Sequence, residues 1–207
     1  EFLFLTQLKI SMNQERRKWD KCHMKGINGT KRDEPSKTIP DFLNFLSEYG
    51  DKWILDAGCG NGENTAEISI HGKKVLGVDF SMPALKKAKK RTDGKSVEIH
   101  YVLADINNLP FKKGNFSAIY SIDSLNKSNT PSIKEFHDIL DYGGLLYLRL
   151  LYKKEDKKKV RRNYQFPDDA IENFEDYFTV LEKSHYTREN NLYKQTFLTF
   201  KMMKKQK

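Results

Sequence analysis

The stretch Ile54–Thr65 reads ILDAGCGNGENT, and its reading decides the fold. Trp53–Ala57 is a short apolar run of strand length that delivers an acidic residue, Asp56, into a glycine-rich turn. Gly58, Gly60 and Gly62 alternate there with Cys59 and Asn61. Glycine has no Cβ, so a ligand can approach the main chain closely. The next segment, Glu63–Ile70, reads as a helix whose first amides point at the same place. Dinucleotide-binding proteins also place glycines after a first strand, so the glycines alone do not choose the ligand. Asp56 separates the cases, because a carboxylate at this point accepts hydrogen bonds from a cationic amino group, which a nicotinamide dinucleotide lacks.

Outward from this turn the chain alternates between strand and helix. Lys74–Asp79 (KVLGVD) is a second strand, and Met82–Arg91 is a helix with Ser81 at its N-cap and Pro83 in its first turn. Val97–Leu103 and Phe116–Ile122 read as strands, Ser132–Leu140 as a helix, and Gly144–Leu151 as a central strand. Before the turn, Lys37–Tyr49 carries apolar residues at helical spacing. Such alternation predicts a parallel sheet covered by helices on both faces. The end of the chain differs. Asp168–Tyr177 reads as a helix. Phe178–Thr187 and Leu192–Met203 then read as two strands joined by the short polar link Arg188–Asn191, which predicts an antiparallel hairpin.

Three further acidic positions follow strand ends. Asp79 closes the second strand and is placed to accept both hydroxyls of a ribose, or to cap the next helix. Asp105, in ADINNLPF, is placed to accept from an adenine exocyclic amine, with Ile106 against the ring; a plain turn-forming Asp is the alternative. Asp123, in SIDSLN, and Asn126 face the region beyond the carboxyl end of the fourth strand, where open parallel sheets bind ligands. Asp123 is the candidate general base. His137, His185 and Tyr152 are weaker candidates for the same neighbourhood.

These elements, in this order over residues 53–151, resemble the class I S-adenosylmethionine-dependent methyltransferases. The resemblance implies one α/β domain, Rossmann-like and doubly wound, with a seven-stranded sheet in the order 3-2-1-4-5-7-6 whose seventh strand is antiparallel. It implies S-adenosylmethionine as cofactor, with S-adenosylhomocysteine as product, and cofactor contacts from Asp56, Gly58, Cys59, Gly60, Asn61, Gly62, Asp79, Phe80, Ser81, Asp105, Ile106, Ser121 and Ile122. Residues 37–207 form the implied methyltransferase domain. Residues 1–36 form an N-terminal arm, similar to the entry segment of tellurite-resistance and thiopurine-type enzymes through Lys18-Trp19-Asp20, Gly26, Gly29 and Arg32–Ser36. By that likeness Trp19 packs over the cofactor and Arg32 pairs with a carboxylate; a core anchor and a surface charge are the alternatives. The reaction implied is an in-line methyl transfer.

Composition bounds the partners. The net charge is +9, and the excess sits in Lys153–Arg162 (KKEDKKKVRR) and the tail Lys201–Lys207 (KMMKKQK). Such segments attract RNA or an anionic acceptor, or form a solvated lysine-rich surface. A small-molecule acceptor is the first expectation, an RNA acceptor using Lys153–Arg162 the second, and a cofactor-binding protein without methyl transfer the third. Two cysteines, Cys22 and Cys59, suit a reducing cytoplasm and give no zinc pattern. No apolar run reaches spanning length. Residues 1–11 lack the basic start and small-residue cleavage site of a signal peptide; the more polar stretch begins at Met12, and residues 1–11 are either an extension from an upstream start or an ordinary N-terminal arm.

Overall fold

The computed structural model describes residues 14–27, 34–46, 52–125, 132–156, 164–165, 171–172, 174–189 and 193–205. Two helices precede the sheet: α1 (Gln14–Lys25) and α2 (Ile39–Phe45). Then follow β1 (Trp53–Ala57), α3 (Glu63–Ile70), β2 (Val75–Asp79), α4 (Met82–Thr92), β3 (Ile99–Leu103), β4 (Phe116–Ile122) and α5 (Ser132–Ile139). The chain ends with β5 (Leu140–Asp156), β6 (Tyr164–Gln165), β7 (Phe178–Glu189) and β8 (Tyr193–Lys204).

The strands form one sheet in the order β3-β2-β1-β4-β5-β8-β7. β1 to β5 run parallel, and β8 lies antiparallel between β5 and β7. With the two-residue β6 set aside, this is the seven-stranded order the resemblance implies. The order reverses between β1 and β4, so a crevice opens at their carboxyl ends. β1 pairs with β2 through Ile54–Ala57 and with β4 through Trp53–Asp56, which fixes where the glycine turn emerges.

Alternation along each strand supplies the two faces of the core. Leu55, Val78, Ile119 and Leu146 pack on one side with Ile133 and Phe136 of α5. Ile54, Val75, Tyr120 and Tyr147 pack on the other with Ile39 and Phe42 of α2 and Ile68 of α3. Phe42 is fully enclosed, its ring 4.7 Å from that of Tyr120 and 5.6 Å from that of Tyr147. Polar atoms on these aromatics are held at the rim: Thr38 bonds the Tyr120 hydroxyl at 2.7 Å, and Tyr147 donates to Asp41 at 2.8 Å. Burial, first of all, pushes both phenols well above the ordinary tyrosine range.

Several boundaries depart from the sequence reading. The fifth helix stops at Ile139, because Leu140 already pairs with Phe116 of β4. β5 is 17 residues long rather than Gly144–Leu151, because β8 pairs with it as far as Asp156↔Tyr193 and β6 pairs with it at Lys153 and Lys154. β6 itself was not predicted; two residues carry no periodic signal. β3 begins at Ile99 rather than Val97. Within the expected helix Asp168–Tyr177, residues 171–172 are helical and Phe174–Tyr177 form turns, with residues 166–170 and 173 outside the described set. The hairpin stands as expected, though β7 carries the chain on through Arg188 and Glu189.

Phe42→Ala should destabilise the fold by about 3–5 kcal/mol, the usual cost of emptying a packed aromatic site. Denaturant unfolding measures this. A loss below about 1 kcal/mol would mean that α2 does not anchor this side of the sheet.

Candidate functional site

Three glycines shape the turn after β1. Gly58 (φ 77°), Gly60 (φ 56°) and Gly62 (φ 77°) all take left-handed backbone, which strains any other residue. Two of them also serve packing. A Cβ at Gly58 would lie 2.4 Å from the Cβ of Ser124, and one at Gly62 would lie 2.7 Å from Ala88 and the Tyr101 hydroxyl. Gly60 differs: the nearest atom to its missing Cβ is a ring carbon of His23 at 3.5 Å. Gly60 therefore leaves main chain open beneath α1.

Asp79 ties this turn to the next. Its Oδ2 accepts from the Gly60 amide at 2.9 Å, and its Oδ1 accepts from the Ser81 amide at 2.8 Å. Burial raises the pKa of this carboxyl, while the Ser81 amide, His23 and the Gly60 amide work against that rise. Ser81 caps α4 as predicted, accepting from the Ala84 amide at 3.4 Å, with Pro83 in the first turn. Phe80 between them is half-buried.

The arm closes over this corner through α1. Asp20 accepts from the Ser81 hydroxyl at 2.7 Å, and the His23 ring bonds the Asn61 side chain at 2.9 Å. Lys87 of α4 donates to the His23 carbonyl. Arg91 of α4 donates to the Asn61 carbonyl at 3.2 Å and pairs with Glu63 at 2.9 Å. Trp19 is half-buried on the same helix, its ring 6.3 Å from that of His23. Asp20, His23, Lys87 and Arg91 were not predicted as site residues. The spacing Trp19, His23 at one helical turn was the available signal.

Asp56 is 2% exposed, and Thr65 donates to its Oδ2 at 2.6 Å. Burial pushes its pKa up to about 7; the Thr65 bond opposes the shift, and the charges of Asp79 and Glu63 add to it. The neighbouring Cys59 thiol is likewise pushed well up by burial. A cation or a proton is thus the natural complement of Asp56.

Further along the crevice, Asp105 accepts from the amide and side chain of Asn107, both at 2.9 Å and both on Oδ1. The Ile106 side chain is turned into the main core. Ser121 is fully buried; its hydroxyl donates to the Ala57 carbonyl at 3.3 Å and pairs with that of Ser124. Ile122 packs against the core cluster on the α2 side. Asp123 takes φ 57° and holds Arg149 of β5 by two parallel bonds, Nε to Oδ1 at 3.1 Å and Nη2 to Oδ2 at 2.7 Å. Ser36, ahead of α2, accepts from Arg149 Nη1 at 3.4 Å, and its amide donates to Asn64 at 2.7 Å.

The predicted residues thus gather at one end of the sheet, from β1, β2, β3 and β4. The weaker candidates do not join them in a catalytic arrangement. His137 is packed between Tyr177 and Phe178, with centroids 5.5 and 5.8 Å away. His185 is exposed on β7, and Tyr152 packs against the main core within β5. Arg32, Gly29, Asn126, residues 1–11 and Lys157–Arg162 lie outside the described residues. Among the described residues there is no cluster suited to a metal, Cys22 and Cys59 are buried and form no disulfide, and no helix is long and apolar enough to cross a membrane.

Comparison with known proteins agrees with this geometry. A family model described as a methyltransferase domain matches residues 54–144, the span from β1 into β5. The malonyl-acyl-carrier-protein O-methyltransferase of Hamiltonella defensa is 31% identical over 111 residues, covering 53% of this chain and 42% of that protein. The chain therefore spans about two-fifths of the length of that relative. The N-methyltransferase NodS of Bradyrhizobium japonicum, solved with S-adenosylhomocysteine, superposes with a TM-score of 0.71 over 92% of this chain and 99% of its own, at 17% identity. A protein described as the 4+2 cyclase SpnF gives a TM-score of 0.74 over 92% and 95% of the two chains, at 12% identity. Residues 54–144 thus match the methyltransferase-domain family, and the sheet order and glycine turn around them are those that the resemblance to the class I S-adenosylmethionine-dependent methyltransferases implies.

Proposed function

We infer that this chain is an S-adenosylmethionine-dependent methyltransferase acting on a small-molecule acceptor, in the cytoplasm. The observation that carries the reading is the pair of buried carboxylates, Asp56 and Asp79, set around a left-handed glycine turn. This donor and acceptor set fits the cofactor. Gly60 offers open main chain, Asp79 is oriented by two amides for ribose hydroxyls, and Asp56 lacks a cationic partner among the described residues. Asp105 has its Oδ2 left for an exocyclic amine. When bound, S-adenosylmethionine supplies a methyl group already mounted on a sulfonium leaving group.

The chain's own task is then to bind, orient and exclude water. Trp19 and His23 on α1 suit a cover over the cofactor corner. Asp123, the sequence candidate for a base, suits a second task as well, because both its oxygens orient Arg149. A small acyl acceptor, free or carried on a protein, is in keeping with the name of the Hamiltonella relative, a malonyl-acyl-carrier-protein O-methyltransferase. SpnF shares the fold under the name of a cyclase, so the assignment rests on the site and not on the fold.

Calorimetric titration with S-adenosylmethionine, with NAD as control, tests the cofactor. Binding of the former alone is expected. Asp79→Ala should weaken it about a hundred-fold, since two hydrogen bonds to a charged group contribute about 1.5 kcal/mol each. Unchanged affinity in a folded variant would remove Asp79 from the site.

Asp56 gives the free protein a signature in pH. Its folded pKa is raised from 3.8 to about 7, so its favourable contribution is complete below pH 4 and is lost as pH rises towards 7. Relative to Asp56→Asn, the wild type should lose about 4 kcal/mol of unfolding free energy across that window, at about 1.4 kcal/mol per unit. A difference that stays flat from pH 4 to pH 7 would mean that Asp56 is ionised throughout.

A further inference from the structure

We propose that Arg149 is the receptor for a carboxylate on the methyl acceptor, and that Phe197 is the wall against which the acceptor's apolar body lies. This rests on the methyltransferase reading and names the acceptor class for it.

The two halves of the crevice differ. The carboxylates suited to the cofactor, Asp56, Asp79 and Asp105, follow β1, β2 and β3, on one side of the point where the strand order reverses. Arg149 lies on the other side, in β5, with Ile122 of β4 and Thr199 of β8 as its neighbours in register. That leaves it at the carboxyl end of the sheet, in the half the cofactor set does not use.

Arg149 is held ready. A guanidinium has five N–H donors. Asp123 takes two, through Nε and Nη2, and Ser36 takes one through Nη1. Two donors remain without an acceptor among the described residues. The Arg149 side chain is 18% exposed, so these donors face a partly desolvated space, where a charge-assisted pair is strong. Because Asp123 fixes the fork before any ligand arrives, little ordering is left to bind one.

An apolar row adjoins it. Phe197 of β8 lies with its ring 5.5 Å from the Arg149 guanidinium. Leu151 of β5 is its partner in register on one side and Tyr186 of β7 on the other, the latter ring stacked at 6.5 Å. Arg188 places a second guanidinium 5.8 Å from the same ring. Cation and apolar wall together fit a carboxylate on a hydrophobic body better than a cationic or a fully polar acceptor.

The test uses ligand-observed NMR on the full chain with S-adenosylhomocysteine present, and benzoate, benzamide and benzyl alcohol as probes. Benzoate should bind at least ten-fold tighter than the two neutral probes. Arg149→Gln should abolish that preference and leave S-adenosylhomocysteine affinity unchanged. Arg149→Lys, which keeps the charge and loses the fork, should reduce the preference several-fold and serves if the glutamine variant fails to fold. Phe197→Leu should weaken all three probes together. Equal binding of benzoate and benzamide, or a preference that survives in Arg149→Gln, overturns the proposal. So does loss of S-adenosylhomocysteine affinity in Arg149→Gln with benzoate unaffected, which would give Arg149 to the cofactor. If the wild type binds no S-adenosylhomocysteine, the methyltransferase reading falls, while the benzoate comparison on the free protein still decides the role of Arg149.

Discussion

The fixed point of this structure is a carboxylate that could not be buried without backbone amides to receive it. Asp79 sits at the end of β2 with one oxygen on the Gly60 amide and the other on the Ser81 amide. Those amides belong to two different turns, one after β1 and one after β2. The carboxylate therefore sets the distance between the glycine turn and the start of α4. Gly60 reaches it only through a left-handed φ of 56°, so the glycine and the acid depend on each other. The tie extends outward, because Ser81, oriented at the head of α4, donates to Asp20 and so fixes where α1 lies. A charge in the interior, stabilised by local main chain, thus positions three elements at once.

Much of this was legible in the sequence because its determinants are local. The glycine turn, Asp79 and the Ser81 cap are each defined within a few residues, and short-range chemistry predicts them well. The alternation of elements gave the parallel sheet, and the resemblance it supports implied the strand order. What escaped the sequence depends on distant partners. Arg149 meets Asp123 across 26 residues and Ser36 across 113, and no periodicity encodes such a meeting. Thr65 was passed over for a related reason: its hydroxyl matters only because the turn folds it back onto Asp56. The length of β5 was underestimated partly because its polar end, Lys153–Asp156, has no strand-like pattern of its own. It is extended by pairing with β8 on one edge and β6 on the other.

The arm shows how a segment without a strong pattern acquires a position. α1 is a polar helix with Arg16, Lys18, Lys21 and Lys25 along it. A hydrophobic face alone does not account for its docking. Polar contacts supply the rest: Asp20 to Ser81, His23 to Asn61, and Lys87 to the His23 carbonyl. Each contact reaches a residue of the glycine turn or of α4's first half. The helix is therefore registered on the corner formed by the glycine turn and the start of α4.

The electrostatic layout of the crevice carries the same logic to the ligands. Carboxylates line the half built by β1, β2 and β3, and the half built by β4 and β5 carries the ion pair of Arg149 with Asp123. Burial disfavours the charge on Arg149, yet the hydrogen bond and charge of Asp123 more than offset it, and the guanidinium pKa rises. On the other half, Asp56 and Asp79 raise the cost of each other's ionisation across the turn, a cost that a cation lowers and an anion increases. On the proposed reading, a cationic cofactor suits the first half and an anionic acceptor suits the free donors of Arg149 in the second. The proposed charge division would favour the orientation that in-line transfer demands.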